Sequence, residues 1–243
     1  MKEETAWYSD RVEAWIHLSR WGHFGRPVLV FPTAGGDANE IERHGLIEAL
    51  WPLIDGGRIK VFSLDSIAGR SWLQGDDPRH SMWLQNRFDE MIYREVVPAV
   101  RTDCQDDDIA LFTAGASIGA FNAVASVCRH PDAFVAAIGM SGTYDLSSWL
   151  GGHWSEDFYF SSPLHFLPAL ADESGDLARL RSRFFVLATG QGRWEDQGET
   201  WKMARILGQK AIPNRVDVWS ADYDHDWPTW REMLPLYLDD LAD

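Results

Sequence analysis

The stretch Ile109-Ala-Leu-Phe-Thr-Ala-Gly-Ala-Ser-Ile-Gly-Ala120 passes from an apolar run into two glycines that bracket Ser117. The run Ile109 to Thr113 has the length and composition of a buried strand. The residues after Gly119 read as a helix that stops near His130-Pro131, because proline interrupts the helical ladder. Alone, Gly-x-Ser-x-Gly is a weak pattern. Set between a buried strand and a helix, it predicts a tight turn. In such a turn, small residues flank a serine held in strained backbone and lifted above the carboxyl edge of a sheet. The competing reading is an ordinary strand–helix turn in which Ser117 merely caps the helix.

The flanking sequence repeats the alternation of strand and helix. From Trp7 to Arg20, the residues Val12, Ala14, Ile16 and Leu18 recur at every second position, which predicts an antiparallel edge strand or hairpin. Pro27 to Thr33 is a continuous apolar run ending in Ala34-Gly35-Gly36, as expected of a central strand that meets a glycine-rich loop. Ile41, Leu46, Ile47, Leu50 and Leu53 fall at helical spacing before Asp55-Gly-Gly57. Ile59 to Leu64 predicts the next strand, and Ser81 to Val100 a long helix. Downstream, Phe134 to Met140, Phe184 to Thr189 and Arg215 to Ser220 predict strands, and Pro228 to Leu241 a terminal helix. The order implies an α/β fold with a mainly parallel central sheet covered by helices on both faces. An aromatic-rich insertion, about 145–182, is expected to roof the site.

With 45% hydrophobic residues, the 243-residue chain can bury one large core, and residues 1–243 read as a single domain without linker or repeat. The net charge of −15 opposes binding to nucleic acid or to anionic lipid, and its simplest meaning is solubility. The opening Met-Lys-Glu-Glu-Thr lacks the apolar core of a secretory leader, and no apolar run has membrane-spanning length. A cytoplasmic protein with neither membrane nor nucleic-acid partners is therefore expected. Cys104 and Cys128 are expected to be free thiols. Whether the chain forms a homo-oligomer is left open.

A serine hydroxyl needs a base, and in a sheet of this kind the base comes after the last strand. His225 meets that condition, lying in Asp222-Tyr-Asp-His-Asp-Trp-Pro-Thr-Trp230, where Asp226 reads as the cap of the terminal helix. The orienting carboxylate should come after the strand Phe184 to Thr189, which points to Glu195, with Asp196 as the alternative acid. Asp145, one strand earlier, is a further candidate whose plainer reading is a cap for residues 146–150. Developing negative charge on the substrate oxygen would be met by the amide of Ile118, with a second donor from Thr33 or Ala34 in the first loop. Trp194, Trp149 and Trp154 are candidates for lining an apolar acyl or aryl pocket. No His, Cys or Asp cluster has metal-ligand spacing, so no metal is expected.

Three stretches together resemble one family: Phe31-Pro-Thr-Ala-Gly-Gly36, Thr113-Ala-Gly-Ala-Ser-Ile-Gly-Ala120 and His225-Asp-Trp-Pro-Thr-Trp230. The chain resembles the esterase family of α/β-hydrolases that includes esterase D-like S-formylglutathione hydrolases, feruloyl esterase domains and mycolyltransferases. The resemblance implies hydrolysis of a small-molecule carboxylic ester through an acyl-enzyme, no cofactor, and Ser117 and His225 in the roles above. In one respect the chain departs from it. Many members carry an aspartate shortly after the glycine that ends the acid-bearing strand, where this chain has Gln191, Gly192 and Arg193. Two other functions remain compatible with the sequence: acyl transfer to an alcohol by the same serine, and noncatalytic ligand binding on a hydrolase scaffold.

Overall fold

The computed structural model describes residues 2–242. Eight strands form one sheet: β1 (Lys2–Ser9), β2 (Ala14–Trp21), β3 (Arg26–Phe31), β4 (Ile59–Leu64), β5 (Leu111–Ala116), β6 (Phe134–Met140), β7 (Phe184–Thr189) and β8 (Asn214–Val218). Their order across the sheet is β1-β2-β4-β3-β5-β6-β7-β8. The β1–β2 hairpin is antiparallel and β2 joins β4 antiparallel, while every pair from β4 through β8 is parallel. The antiparallel edge and the parallel centre are those the sequence predicts. β5, the strand that ends at the serine turn, lies between β3 and β6 in the middle of the sheet.

Alternation along the central strands sends successive side chains to two separate cores. Leu29 and Phe31 of β3 join the helices Pro78–Met91 and Ile118–Arg129 on one face. Val28 and Val30 join the helices Leu46–Asp55 and Trp227–Leu241 on the other. Continuous apolar strands are stable here because both faces are covered.

Two expected helices are interrupted, each for a local reason. The pattern from Ile41 to Leu53 divides into Glu40–Arg43 and Leu46–Asp55, because Gly45 turns into the left-handed region at φ 75°. The long helix expected from Ser81 to Val100 runs instead as Pro78–Met91, a π-helical turn Ile92–Val96 and Val97–Cys104. The widened turn precedes Pro98, whose nitrogen has no proton to offer the carbonyl of Arg94. A helix at Ile67–Gln74 has no strong sequence signal; its Gly69 packs on Ala34, where an added Cβ would lie 3.0 Å from the Ala34 Cα.

The chain between β6 and β7 folds as short helical turns. Its Leu146, Leu150 and Phe158 pack with Trp72, Met82, Ile118 and Phe121, whereas Phe166, Leu167, Leu177 and Leu180 join the core on the β3 Leu29 face. Among the described residues no helix is long and apolar enough to cross a membrane. Cys104 and Cys128 are unpaired.

Ile138 is fully buried on β6 in the core beneath the terminal helix. Ile138→Ala is expected to destabilise the protein by about 2–5 kcal/mol, read from the shift in denaturant midpoint.

Candidate active site

Ser117 stands where β5 ends and the helix Ile118–Arg129 begins, with φ 57° and ψ −123°. Its backbone is pinned from both sides. Its N–H donates to the Met140 carbonyl (3.1 Å), and its own carbonyl accepts from the amides of Ala120 (3.1 Å) and Thr143 (3.2 Å). The flanking glycines are a matter of space. A Cβ on Gly119 would lie 2.5 Å from the Phe31 carbonyl oxygen and 2.7 Å from that of Pro32, and a Cβ on Gly115 would strike the Gly119 backbone. The Ser117 side chain makes no capping bond to the helix it precedes, so the reading of this residue as a mere cap does not hold. It is partly exposed.

The first turn of that helix presents amides without intrahelical acceptors, Ile118 first. Of the two residues expected to offer a second donor, Thr33 has its amide engaged. Its N–H is held by the Glu40 carboxylate at 2.7 Å, and its hydroxyl donates to the other Glu40 oxygen at 2.7 Å. Glu40 is buried, so this pair fixes the loop from beneath. Ala34 keeps a free amide among the described residues and packs beside the cluster that contains Ile118. Of the two candidates, only Ala34 can turn its N–H toward a ligand.

The loops that carry Glu195 and His225 are joined to each other. The amides of Gln191 and Gly192 donate to the carbonyls of Ser220 (3.2 Å) and Tyr223 (3.0 Å), and the His225 amide donates to the Arg193 carbonyl (3.0 Å). Arg193 closes the clasp on Asp224 through its amide (2.7 Å), Nε (2.9 Å) and Nη2 (2.7 Å). Gly190 and Gly192 are required there, since a Cβ on either would collide with the Tyr223 carbonyl. Gln191, Gly192 and Arg193 therefore serve the clasp.

Glu195, the first of the candidate acids, lies further along the same loop. Its Oε1 accepts from the Ser141 hydroxyl at 2.5 Å, and its Oε2 lies 3.0 Å from the Thr189 hydroxyl. It acts electrostatically on His225, favouring the charged imidazole, as Asp226 also does; burial outweighs both and holds the His225 pKa below its ordinary value. Asp196 is engaged elsewhere, accepting from Gly198 as the cap of the helix Gln197–Gln209. Asp145 accepts from the Ser147 amide and pairs with Lys202, and Asp226 caps the terminal helix through the Trp227 amide. Sequence reading missed Ser141, Thr189, Trp230 and Glu40 as supports. Only Trp230 carried a signal, as the last residue of the His225 stretch.

The three tryptophans are placed differently. Trp149 is exposed, its ring 6.1 Å from that of Trp72, which shares a cluster with Ile118. Trp194 is 77% exposed beside Glu195, with the Arg193 guanidinium over its ring. Trp154 is packed edge-on against Phe158 and His165 within the insertion. Among the described residues no group of three His, Cys, Asp or Glu side chains is placed to hold a metal ion.

A family model described as "Putative esterase" matches residues 67–241. Among solved structures, a ferulic acid esterase superposes with a TM-score of 0.77 at 15% identity, covering 100% of this chain and 97% of its own. An S-formylglutathione hydrolase from Agrobacterium tumefaciens gives 0.71 at 12% identity, with coverages of 100% and 94%. MPT51 from Mycobacterium tuberculosis gives 0.71 at 16% identity, with coverages of 100% and 98%. At these identities the structures share the fold. No protein of curated function matches the sequence.

Two substitutions test this geometry. Gly119→Ala is expected to lower stability by about 1–3 kcal/mol through the forced shift against Phe31 and Pro32, seen as a lower melting temperature. Glu40→Ala strips the Thr33 amide of its acceptor and is expected to cost about 1–3 kcal/mol of stability, with a fall in turnover as the Ala34 loop loosens.

Proposed function

The chain belongs to the putative esterase family and is a serine esterase acting on carboxylic esters, and from that premise we propose that Ser117, His225 and Glu195 are its catalytic triad. The observation that carries the proposal is Ser117 itself: a residue at φ 57°, uncapped and partly exposed, at the mouth of a helix whose first amides are open. That strain has no structural purpose unless the hydroxyl must be presented.

The groups present dictate the chemistry. His225 takes the Ser117 proton as Oγ attacks the acyl carbon, and the carbonyl oxygen becomes an oxyanion held by the Ile118 and Ala34 amides. The imidazolium, stabilised by Glu195, returns its proton to the departing alkoxide, and an acyl-Ser117 remains. Water then gives a proton to His225 and attacks the acyl carbon, and collapse of the second oxyanion releases the acid and restores the Ser117 hydroxyl. Trp149 on the oxyanion side and Trp194 beside the acid present apolar surface to the substrate, which favours an apolar acyl or aryl group.

Hydrolysis of p-nitrophenyl esters of graded acyl length tests the assignment. Ser117→Ala and His225→Ala are each expected to lower kcat/KM by roughly 10⁴-fold or more. Full activity in Ser117→Ala would overturn the proposal. The base works only when neutral, and burial depresses the His225 pKa. The acid limb of the kcat/KM profile is therefore expected below 6.5, the ordinary histidine value, with activity falling as pH drops through it.

A further inference from the structure

Behind Glu195 lies a buried hydrogen-bond chain whose direction is fixed by the atoms in it. The Trp230 indole N–H lies 2.9 Å from Ser141 Oγ, and Ser141 Oγ lies 2.5 Å from Glu195 Oε1. An indole nitrogen can only donate, so Ser141 must accept from it. The single proton of the Ser141 hydroxyl is thereby left to Glu195, which as a carboxylate can only accept. Trp230 and Ser141 are each 4% exposed, so no bulk water competes for either group. The same indole meets the other end of the triad: its ring packs edge-on to the His225 imidazole, with centroids 5.3 Å apart and planes at 80°. Ser141 is itself held at φ 47°, with its amide donating to the Ala188 carbonyl at 2.8 Å. Neither residue is needed to close a helix or strand by that contact, and its one beneficiary is the Glu195 carboxylate.

We propose that Ser141 and Trp230 are positioning residues of the triad: a one-way donor relay, Trp230 to Ser141 to Glu195, that holds the acid in place beside a base which Trp230 also seats. The inference rests on Glu195 being the triad acid. The charged groups that act on the His225 ring are Glu195 from the β7 loop and Asp226 at the start of the terminal helix; Arg193 and Asp224, in the adjoining backbone, are paired with each other. Of these, only Glu195 is governed by the relay.

The test compares Ser141→Ala, Trp230→Phe, Glu195→Gln and the double variant Ser141→Ala/Glu195→Gln through pH profiles of kcat and kcat/KM on one p-nitrophenyl ester. Loss of a hydrogen bond to a charged group is expected to lower kcat about 10- to 100-fold in Ser141→Ala with little change in KM. Glu195 favours the charged imidazole, so loosening or neutralising it lets the His225 pKa fall. The acid limb should therefore move to lower pH in Ser141→Ala, and in the same direction and further in Glu195→Gln. The double variant should be no slower than Glu195→Gln alone, because the hydroxyl then has no carboxylate to hold. Trp230→Phe keeps an aromatic ring against His225 but takes away the donor that fixes the direction of the Ser141 hydroxyl, and should show part of the same shift; it carries the test if Ser141→Ala does not fold. Losses that multiply in the double variant, or an unmoved acid limb in Ser141→Ala and Trp230→Phe, would overturn the relay and leave the triad intact. Near-normal activity in Glu195→Gln would instead overturn the choice of acid, a separate failure.

Discussion

The contact of the Gly119 backbone with the carbonyls of Phe31 and Pro32 governs most of what surrounds it. Because the start of the helix Ile118–Arg129 lies against the end of β3, the chain leaving β5 must turn within one residue, and that residue is Ser117. The turn places a hydroxyl at the carboxyl edge of the sheet and aims a helix N-terminus at the same point. It also sets the Ala34 loop, which leaves β3 beside that contact, within the cluster that holds Ile118. Strain at Ser117 is sustained by three backbone hydrogen bonds and by two full cores above and below the sheet.

A second constraint relates the loop of His225 to that of Glu195. Both His225 and Glu195 sit on loops, which by themselves would hold a side chain poorly. Here the two loops pair backbone to backbone and are closed by the Arg193–Asp224 bridge, so each braces the other. The terminal helix then supplies Trp230 beneath both. The site is thus built on rigid strand ends on one side and on a cross-braced pair of loops on the other.

Much of this was legible in the chain. Strands β4, β6 and β7 have the bounds that their apolar runs predict, because buried parallel strands need unbroken apolar sequence and end where it ends. The two helices that broke did so at Gly45 and before Pro98, where backbone conformation and a missing N–H override apolar spacing. Neighbouring carboxylates in one loop gave little ground for preferring Glu195 to Asp196; the proposed preference draws on Asp196 capping a helix and on Ser141 and Thr189 meeting Glu195. Thr33 and Ala34 were equivalent in sequence and became distinct only through Glu40, seven residues along, closing on the Thr33 amide.

By itself the sequence determined the α/β architecture, the order of elements along the chain, the serine turn and the histidine after the last strand. These depend on local composition: the periodicity of apolar side chains, and glycines where a Cβ has no room. Tertiary structure alone decided which amides remain free, which carboxylate is spoken for, and which buried donors reach Glu195. Each of those is a matter of hydrogen-bond partners brought together from distant segments, Ser141 and Trp230 being 89 residues apart, and sequence spacing carries no record of such a meeting.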